Sequence, residues 1–184
     1  MMYTQDPHVV CLQETWLHDN SRPLKILGYK LIRKNRTLRG GGGLLFAVRD
    51  DIQHREIALT TPQNSTIEGQ ALEISVAHDK VTILNIYNPT TTIETDHLDH
   101  LINQIGSKYV IVGDFNGHHT LWDPDVPTMN QCGRDLSTYI IDQQNLNLIT
   151  TPGMITYTDA RSGKTSTLDL SFCSNNLIQV SRTS

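Results

Sequence analysis

The chain has 184 residues, of which 38% are hydrophobic and 18% are charged, and this length and apolar content predict one globular domain over residues 1–184 with a sizeable core. Its formal net charge of −4 gives no overall attraction to nucleic acid, so a nucleic-acid partner would require a local basic surface. No apolar run is long enough to span a bilayer, and no secretory signal opens the chain. Three cysteines without a CxxC pair argue against a disulfide framework. We therefore expect an intracellular protein with no membrane partner.

The first predicted strand is the apolar run VVCLQE, which ends abruptly in a polar pair. Such a run predicts a buried strand, and its end would bring the carboxylate of Glu14 to the edge of a sheet. The alternative is that Glu14 simply caps whatever follows the strand.

A basic segment comes next, because eight of the fifteen Lys and Arg residues lie between Asp19 and Asp50 with no acid among them. The strand patterns KLIRKN and GGLLFAVRD flank a glycine-rich turn at residues 40–43. This basic segment could bind phosphates, while the rest of the chain has an excess of acidic residues. A solvated strand-loop-strand surface explains the charge equally well. The residues that we assign to substrate binding here are Arg33, Lys34, Arg36 and Arg39.

The rest of the chain mixes strand and helix patterns. The strand patterns ALEISVA, VTILNIYNP and YVIVGDFN are followed by LNLIT and TLDLSFC, with a hairpin turn at residues 163–165. Apolar spacing predicts helices over residues 94–105, capped by Thr92 or Thr95, and over residues 134–144, after a loop at residues 124–133. Many strands and few helices in mixed order predict sheets that are covered by helices.

Polar side chains that can bind a cation follow three of these apolar runs. Glu14 ends the first run, Asp114 and Asn116 end VIVGDFN, and Asp169 lies in STLDLSF. Mg²⁺ takes oxygen ligands, usually one or two carboxylates with water and substrate phosphate. An isolated Asp after a strand is more often a turn residue, so the prediction of a cation site depends on all three strand ends together.

In this order, the segments LQETWL, NIYNP, GDFN, HTLWD and TLDL resemble the endonuclease/exonuclease/phosphatase superfamily, and HTLWD with the later CGRDL resembles its branch in non-LTR retrotransposons. The resemblance spans almost the whole chain. It implies an α/β fold, namely a four-layer α/β sandwich of two packed mixed sheets flanked by helices. It also implies Mg²⁺ (or Mn²⁺) as cofactor, DNA as partner, and a reverse transcriptase domain downstream in a polyprotein.

The resemblance assigns a role to each strand-end residue. Glu14 would bind the metal ion, and Tyr87 in NIYNP would contact the scissile phosphate. Asp114 and Asn116 would orient the attacking water and stabilise charge on the phosphate oxygens. Asp169 would hold a histidine in the correct tautomer.

Two elements of the family pattern have no counterpart in this sequence: a strand ending in Asn before the QE strand, and a terminal Ser-Asp-His motif. The sandwich is therefore expected to lack an N-terminal and a C-terminal strand. Losing a positioned general acid or base lowers the reaction rate about 10²–10⁴-fold, so the chain alone is expected to be inactive or weakly active.

Other residues near these motifs have two interpretations each. His118 and His119 could contact a phosphate, and Trp122 could either stack on a DNA base or pack in a loop; we assign all three to substrate binding. For Trp16 we expect packing.

Three functions remain open. The leading one is DNA nicking that primes reverse transcription. The alternatives are a phosphatase acting on a phosphoinositide or another small phosphoester, and a catalytically dead fragment that binds nucleic acid or protein. Nicking of a supercoiled plasmid with Mg²⁺ would separate them.

Overall fold

The computed structural model describes residues 6–36, 41–77, 79–143 and 145–180, so Arg39 lies outside the described residues. These residues form two sheets, a short hairpin and three helices. The strands are β1 (Val9–Leu12), β2 (Tyr29–Lys34), β3 (Leu44–Arg49), β4 (His54–Ile57), β5 (Glu68–Val76), β6 (Asp79–Tyr87), β7 (Tyr109–Asp114), β8 (Leu146–Leu148), β9 (Tyr157–Thr158), β10 (Thr165–Ser166) and β11 (Asp169–Ser174). The helices are α1 (Thr95–Ile102), α2 (Gln131–Asp142) and α3 (Asn175–Val180).

The larger sheet has six strands in the order β4-β5-β6-β7-β11-β8. Its strand pairs are antiparallel except for β6 and β7, which are parallel. Parallel neighbours need a crossover connection, and here α1 lies in that connection. This sheet is therefore mixed.

The smaller sheet has three antiparallel strands in the order β1-β3-β2. Its central strand β3 has the sequence LLFAVR, and the residues from Leu44 to Val48 have no exposed surface. A strand that is buried on both faces reads as a continuous apolar run rather than an alternating one. This explains why the sequence pattern of β3 shows no period of two.

Two apolar clusters hold these layers together. One contains Leu84 and Ile86 of β6 with Leu98 of α1 and Leu136 of α2, and so joins the six-stranded sheet to its helices. The other joins the two sheets through Phe46, with Ile83 of β6 packed against it. Because side chains alternate along a strand, β6 serves both clusters. The predicted α/β sandwich of packed sheets with helices is confirmed.

Both predicted long helices form, but their N-termini differ from the prediction. The cap of α1 is Glu94, which makes no side-chain cap hydrogen bond, so the prediction of Thr92 or Thr95 as the cap is wrong. The carbonyl of Thr92 instead accepts hydrogen bonds from the side chains of Asn88 and Thr90, at 3.0 and 2.8 Å. These bonds hold Thr92 in the preceding turn.

Helix α2 begins at Gln131, three residues before the predicted start. Asn130 caps it, because its side-chain oxygen accepts a hydrogen bond of 2.8 Å from the backbone N–H of Gly133. A Cβ at Gly133 would lie 2.0 Å from the carbonyl oxygen of His118, so only glycine fits there. The predicted loop at residues 124–133 therefore ends at Asn130.

Strands β9 and β10 form a hairpin that includes the GKT segment, and the predicted hairpin turn is confirmed. The carboxylate of Asp159 accepts hydrogen bonds from the backbone N–H groups of Arg161 and Ser162, at 3.1 and 2.7 Å. Such an Asx turn is a local source of turn stability.

Within the described ranges, none of the helices has both the length and the apolar character needed to cross a membrane.

Candidate functional site

Strand register aligns four polar side chains across the six-stranded sheet. Glu68 pairs with Tyr87, Tyr87 pairs with Asp114, and Asp114 pairs with Asp169. Side chains of directly paired residues project from the same face of a sheet. That face is the one that packs against the smaller sheet, because Ile83 lies on it, four residues before Tyr87. We call Glu68, Tyr87, Asp114 and Asp169 the rim row.

The smaller sheet adds a further carboxylate to this row. Glu14 follows β1, and its carboxylate accepts a hydrogen bond from the Tyr87 hydroxyl. The end of β1 is fixed by the fully buried Asn85, whose amide donates to the carbonyl of Leu12 at 3.1 Å and accepts from the Gln13 side chain at 2.6 Å. A buried amide must satisfy its polar atoms, so this pair of bonds locks the register between the two sheets.

The carboxylates of Glu14, Asp114 and Asp169 meet at one cavity of about 180 Å³, which Glu68 does not line. Its lining comes from the end of β1, the end of β7, the start of β11 and the segment that enters the β9–β10 hairpin. Thr156 holds that segment in place, because its hydroxyl oxygen accepts hydrogen bonds from the backbone N–H groups of Leu168 and Asp169, at 2.9 and 3.0 Å. The lining residues are Gln13, Glu14, Asp114, Thr156, Tyr157, Leu168 and Asp169.

The electrostatics of this cavity favour a bound cation. Burial, followed by the charges of Asp169 and Glu14, raises the pKa of Asp114 to about 6, and the hydrogen bond from the backbone N–H of Asn116 offsets only part of this rise. Burial and the hydrogen bond to Glu14 also raise the pKa of the Tyr87 hydroxyl well above its usual range. Closely spaced like charges disfavour ionisation, and an opposite charge between them would relieve that cost.

Asn116 is held on the loop that follows β7. Its backbone has a positive φ of 51°, its N–H donates to the Asp114 carboxylate at 3.0 Å, and its side-chain amide donates to the carbonyl of Asn88 at 2.8 Å. Asn tolerates the left-handed region better than most residues. The fully buried Asn88 in turn donates to the carbonyl of Phe115 at 3.0 Å, so the loop has one defined conformation.

The donor atoms at the cavity suit a metal ion that prefers oxygen ligands. Among residues 6–36, 41–77, 79–143 and 145–180, no three His, Cys, Asp or Glu side chains lie close enough together to hold a metal by themselves. The polar side chains that line the cavity offer only oxygen and amide donors, including the carboxylates of Glu14, Asp114 and Asp169. Mg²⁺ commonly uses one or two carboxylates and keeps several waters, so this donor set fits Mg²⁺ better than Zn²⁺.

The predicted basic residues have different environments. Arg36 forms an ion pair with Glu68, and its guanidinium lies over the Tyr87 ring, 5.9 Å from the ring centre. Lys34 donates from its ammonium to the carbonyl of Gly69 at 2.7 Å, and burial lowers its pKa. Neither Lys34 nor Arg33 lines the cavity. Arg36 is thus the basic residue that the structure brings to the rim row.

The two histidines after GDFN do not line the cavity. The backbone N–H of His118 donates to the side chain of Asn130 at 3.0 Å. The imidazole Nδ1 of His119 accepts from the backbone N–H of Leu121 at 3.1 Å, and burial followed by the charge of Arg134 lowers the pKa of His119. Both residues belong to the loop that supports Asn116.

The structure buries Trp122 and exposes Trp16. Trp122 has no exposed surface, and its indole N–H donates to the carbonyl of Gly117 at 2.9 Å, so it cannot stack on a base and its assignment to substrate binding is wrong. Trp16 is 68% exposed, so the prediction that it packs is also wrong. The indole of Trp122 finds its hydrogen-bond partner inside the loop, which makes its burial favourable.

Sequence reasoning missed Glu68, the first member of the rim row. The predicted site residues follow apolar runs, whereas Glu68 opens the strand EGQALEISV. Because β5 and β6 are antiparallel, the start of β5 lies beside the end of β6. The turn between ALEISVA and VTILNIY was the signal that could have predicted this pairing.

The fold is that of a class of two-sheet α/β nucleases and phosphatases. The endonuclease domain of TRAS1, a telomere-specific non-LTR retrotransposon, matches with a TM-score of 0.70 and 19% identity over 97% of this chain and 78% of that one. The 3′ phosphatase NExo from Neisseria, bound to product DNA hairpin, matches with a TM-score of 0.64 and 16% identity over 95% and 79%. ANGEL2, a 2′,3′-cyclic phosphatase, matches with a TM-score of 0.53 and 15% identity over 94% and 72%.

A family model gives the narrower assignment. Residues 81–184, more than half of the chain, match the family described as endonuclease-reverse transcriptase. The chain therefore belongs to the endonuclease-reverse transcriptase family, within the endonuclease/exonuclease/phosphatase superfamily of hydrolytic enzymes. The predicted superfamily is confirmed, and the predicted resemblance to the endonuclease of a non-LTR retrotransposon is matched in fold by the TRAS1 domain.

Proposed function

We propose that this domain is a Mg²⁺-dependent endonuclease that nicks DNA, and that the 3′-hydroxyl of the nick primes reverse transcription. The observation that carries the proposal is the contact between Glu14 of one sheet and Tyr87 of the other, at a rim row that also holds Asp114 and Asp169. Carboxylates are rarely gathered in this way unless a cation or a reaction compensates their repulsion.

Glu14 is the residue proposed to hold the cation, with waters completing its coordination. Mg²⁺ (or Mn²⁺), when bound, would neutralise charge on the phosphoryl oxygens. The Tyr87 hydroxyl positions the Glu14 carboxylate in the absence of substrate and can donate to a phosphate oxygen in its presence. Arg36, which lies over the Tyr87 ring, supplies a positive charge on the substrate side of the row.

Asp114 and Asn116 are proposed to orient the attacking water. The carboxylate of Asp114 can accept a proton from water, since burial and its like-charged neighbours raise its pKa to about 6, close to neutrality. The water oxygen attacks phosphorus, the bond between phosphorus and the 3′ oxygen breaks, and the leaving oxygen takes up a proton. Asn116 stabilises the charge that develops on the phosphate.

Asp169 is proposed to orient an imidazole that exchanges the proton with the leaving group. Along the described stretches of the chain, no histidine lines the cavity. We therefore expect this 184-residue chain to cleave DNA about 10²–10⁴-fold more slowly than a site with a positioned imidazole would.

The proposal is tested by incubating supercoiled plasmid with excess protein and Mg²⁺. Nicked circles should appear, should be absent with EDTA, and should form at least about 10²-fold more slowly with Asp114→Ala. Asp142→Ala is the matched control, because Asp142 is an exposed carboxylate at the end of α2.

Two outcomes would contradict the proposal. Plasmid binding without nicking at any protein concentration would favour a nucleic-acid-binding fragment. Release of phosphate from a soluble phosphoinositide, with the plasmid left intact, would favour a phosphatase of the same superfamily.

A further inference from the structure

The exposed Trp16 lies on a turn with an unusual backbone. Glu14 and Trp16 both have positive φ angles, of 50° and 55°. Such angles are uncommon for residues other than Gly, Asn and Asp and are energetically unfavourable for them. A turn of this kind persists only where the surrounding structure holds it, and here the turn bears an exposed aromatic ring.

Backbone hydrogen bonds to the glycine-rich segment hold this turn. The N–H groups of Thr15 and Trp16 donate to the carbonyls of Gly43 and Gly42, at 3.2 and 2.9 Å. Gly42 has a φ of 71°, and a Cβ there would lie 2.4 Å from a carboxylate oxygen of Glu68. The positive φ favours glycine at this position, and the carboxylate of Glu68 lies close against it.

The indole itself lies against a glycine rather than in a core. A Cβ built on Gly41 would be 3.5 Å from the indole Cζ2 atom, so the indole lies beside Gly41, whose missing side chain leaves that part of the ring uncovered. The ring nevertheless remains 68% exposed. The turn thus supports a large aromatic side chain that keeps most of its surface in solvent.

The position of this ring relative to the site suggests its ligand. Trp16 is two residues from Glu14, which corresponds to at most about 7 Å of backbone. The same glycine-rich segment contacts Glu68 and Arg36, which lie beside Tyr87. An aromatic surface beside a positive charge and a phosphate-binding cavity matches the alternation of base and phosphate along a nucleic-acid strand.

We propose that Trp16 is a stacking platform for an unpaired nucleobase whose neighbouring phosphate occupies the cavity. This inference rests on the proposed nuclease function and narrows its substrate to a strand with an accessible base. A small phosphoester without a base would gain nothing from Trp16.

The inference is tested by binding, without turnover. With Ca²⁺ in place of Mg²⁺ to occupy the carboxylates, a short labelled single-stranded DNA is titrated with the chain, beside a matched oligonucleotide in which tetrahydrofuran residues replace the bases. Gel analysis after the titration checks that both strands are intact. Trp16→Ala should weaken binding of the normal strand by about 5- to 150-fold, the range expected for one stacked base. Binding of the abasic strand should be unchanged.

Three further variants separate stacking from general effects. Trp16→Phe should restore most of the affinity, whereas Trp16→Leu should behave like Trp16→Ala because it lacks an aromatic face. Ile141→Ala is the control, since Ile141 is a 71% exposed apolar residue on α2. The salt dependence of binding should stay the same in Trp16→Ala, because no charge is removed.

Equal losses on the normal and abasic strands, or no loss on either, would overturn the inference. These outcomes are independent of catalysis, since the measurement reads binding of strands that stay intact. A chain that fails to nick plasmid but shows the base-dependent loss would refute the proposed nuclease activity and leave the stacking platform in place.

Discussion

The two ends of the six-stranded sheet each have a cavity, and the larger cavity is at the end opposite the rim row. It has a volume of about 360 Å³, against about 180 Å³ at the rim, and lies where β7 begins and β11 ends. Two pairs of its polar groups are joined by hydrogen bonds: the Tyr139 hydroxyl donates to the Asp99 carboxylate at 2.5 Å, and the Ser174 hydroxyl accepts from the backbone N–H of Tyr109 at 3.0 Å. This end is a structural junction.

The rim differs in its charge. Glu14, Asp114 and Asp169 line one cavity, and the mutual repulsion of these groups contributes to the raised pKa of Asp114. A folded chain gains no stability from such an arrangement, because it disfavours the ionised groups. Uncompensated charge therefore indicates the functional end of this sheet better than cavity volume does.

The largest expected difference between the two ends comes from Glu14→Gln. The substitution keeps the size of the side chain but removes the charge proposed to hold the cation, so Mg²⁺-dependent nicking should fall by about 10²–10³. Plasmid nicking measured over a range of Mg²⁺ concentrations checks this. Full activity of Glu14→Gln would remove Glu14 from the site.

Tyr139→Phe is the matched change at the other end. It removes the hydrogen bond to Asp99 and leaves a partly buried carboxylate without that donor, so the free energy of unfolding should fall by about 1–2 kcal/mol. Nicking at a temperature where the variant is folded should stay within about twofold of the wild type. If Tyr139→Phe lost as much nicking activity as Glu14→Gln, the larger cavity and not the rim would be the functional site.

The pH dependence of nicking tests whether Asp114 must be ionised for activity. The ionised form of Asp114 is the proposed active form, and its pKa is raised to about 6. Activity should therefore fall about tenfold for each pH unit below about 6 and level off above it. A rate that stays constant down to pH 5 would show that Asp114 does not titrate in this range.

The smallest expected effect is a gain in stability from Asp114→Asn. A carboxyl whose pKa is higher in the folded state than in the unfolded state binds more protons when folded, so its contribution to stability falls as the pH rises from about 4 to about 6. Because the group is partly solvated, we expect Asp114→Asn to be more stable at pH 7 by only about 1 kcal/mol, or about 2–4 °C in Tm. Thermal unfolding at pH 4 should show no such gain, and a gain that is independent of pH would contradict the proposed cause.

Much of the fold and three of the rim acids could be predicted from the sequence. Apolar runs such as VIVGDFN predicted the central strands, and the acids at their ends predicted Glu14, Asp114 and Asp169 as neighbours. That reasoning works because a buried strand that ends in a charged residue must place the charge at an edge of the sheet. The start of α2 was missed because its cap depends on Asn130, whose role is set by the contact of Gly133 with His118.

The environments of the two tryptophans could not be predicted from local pattern. Trp16 follows the strand-end acid Glu14 by two residues, and Trp122 follows Asp114 by eight, yet only Trp122 is buried. Its burial depends on the Gly117 carbonyl in the same loop and on an apolar cluster that also contains Leu136 of α2. The exposure of Trp16 depends on the positive φ angles of its turn, and a residue pattern does not reveal those angles.

Anomalous diffraction from crystals soaked in Mn²⁺ would show whether Glu14, Asp114 and Asp169 share one cation site. We expect a peak in the cavity within about 2.0–2.3 Å of a Glu14 carboxylate oxygen, with Asp114 and Asp169 facing the same density. Mn²⁺ bound elsewhere with this cavity empty, or Glu14 turned away from Asp114 and Asp169, would contradict it.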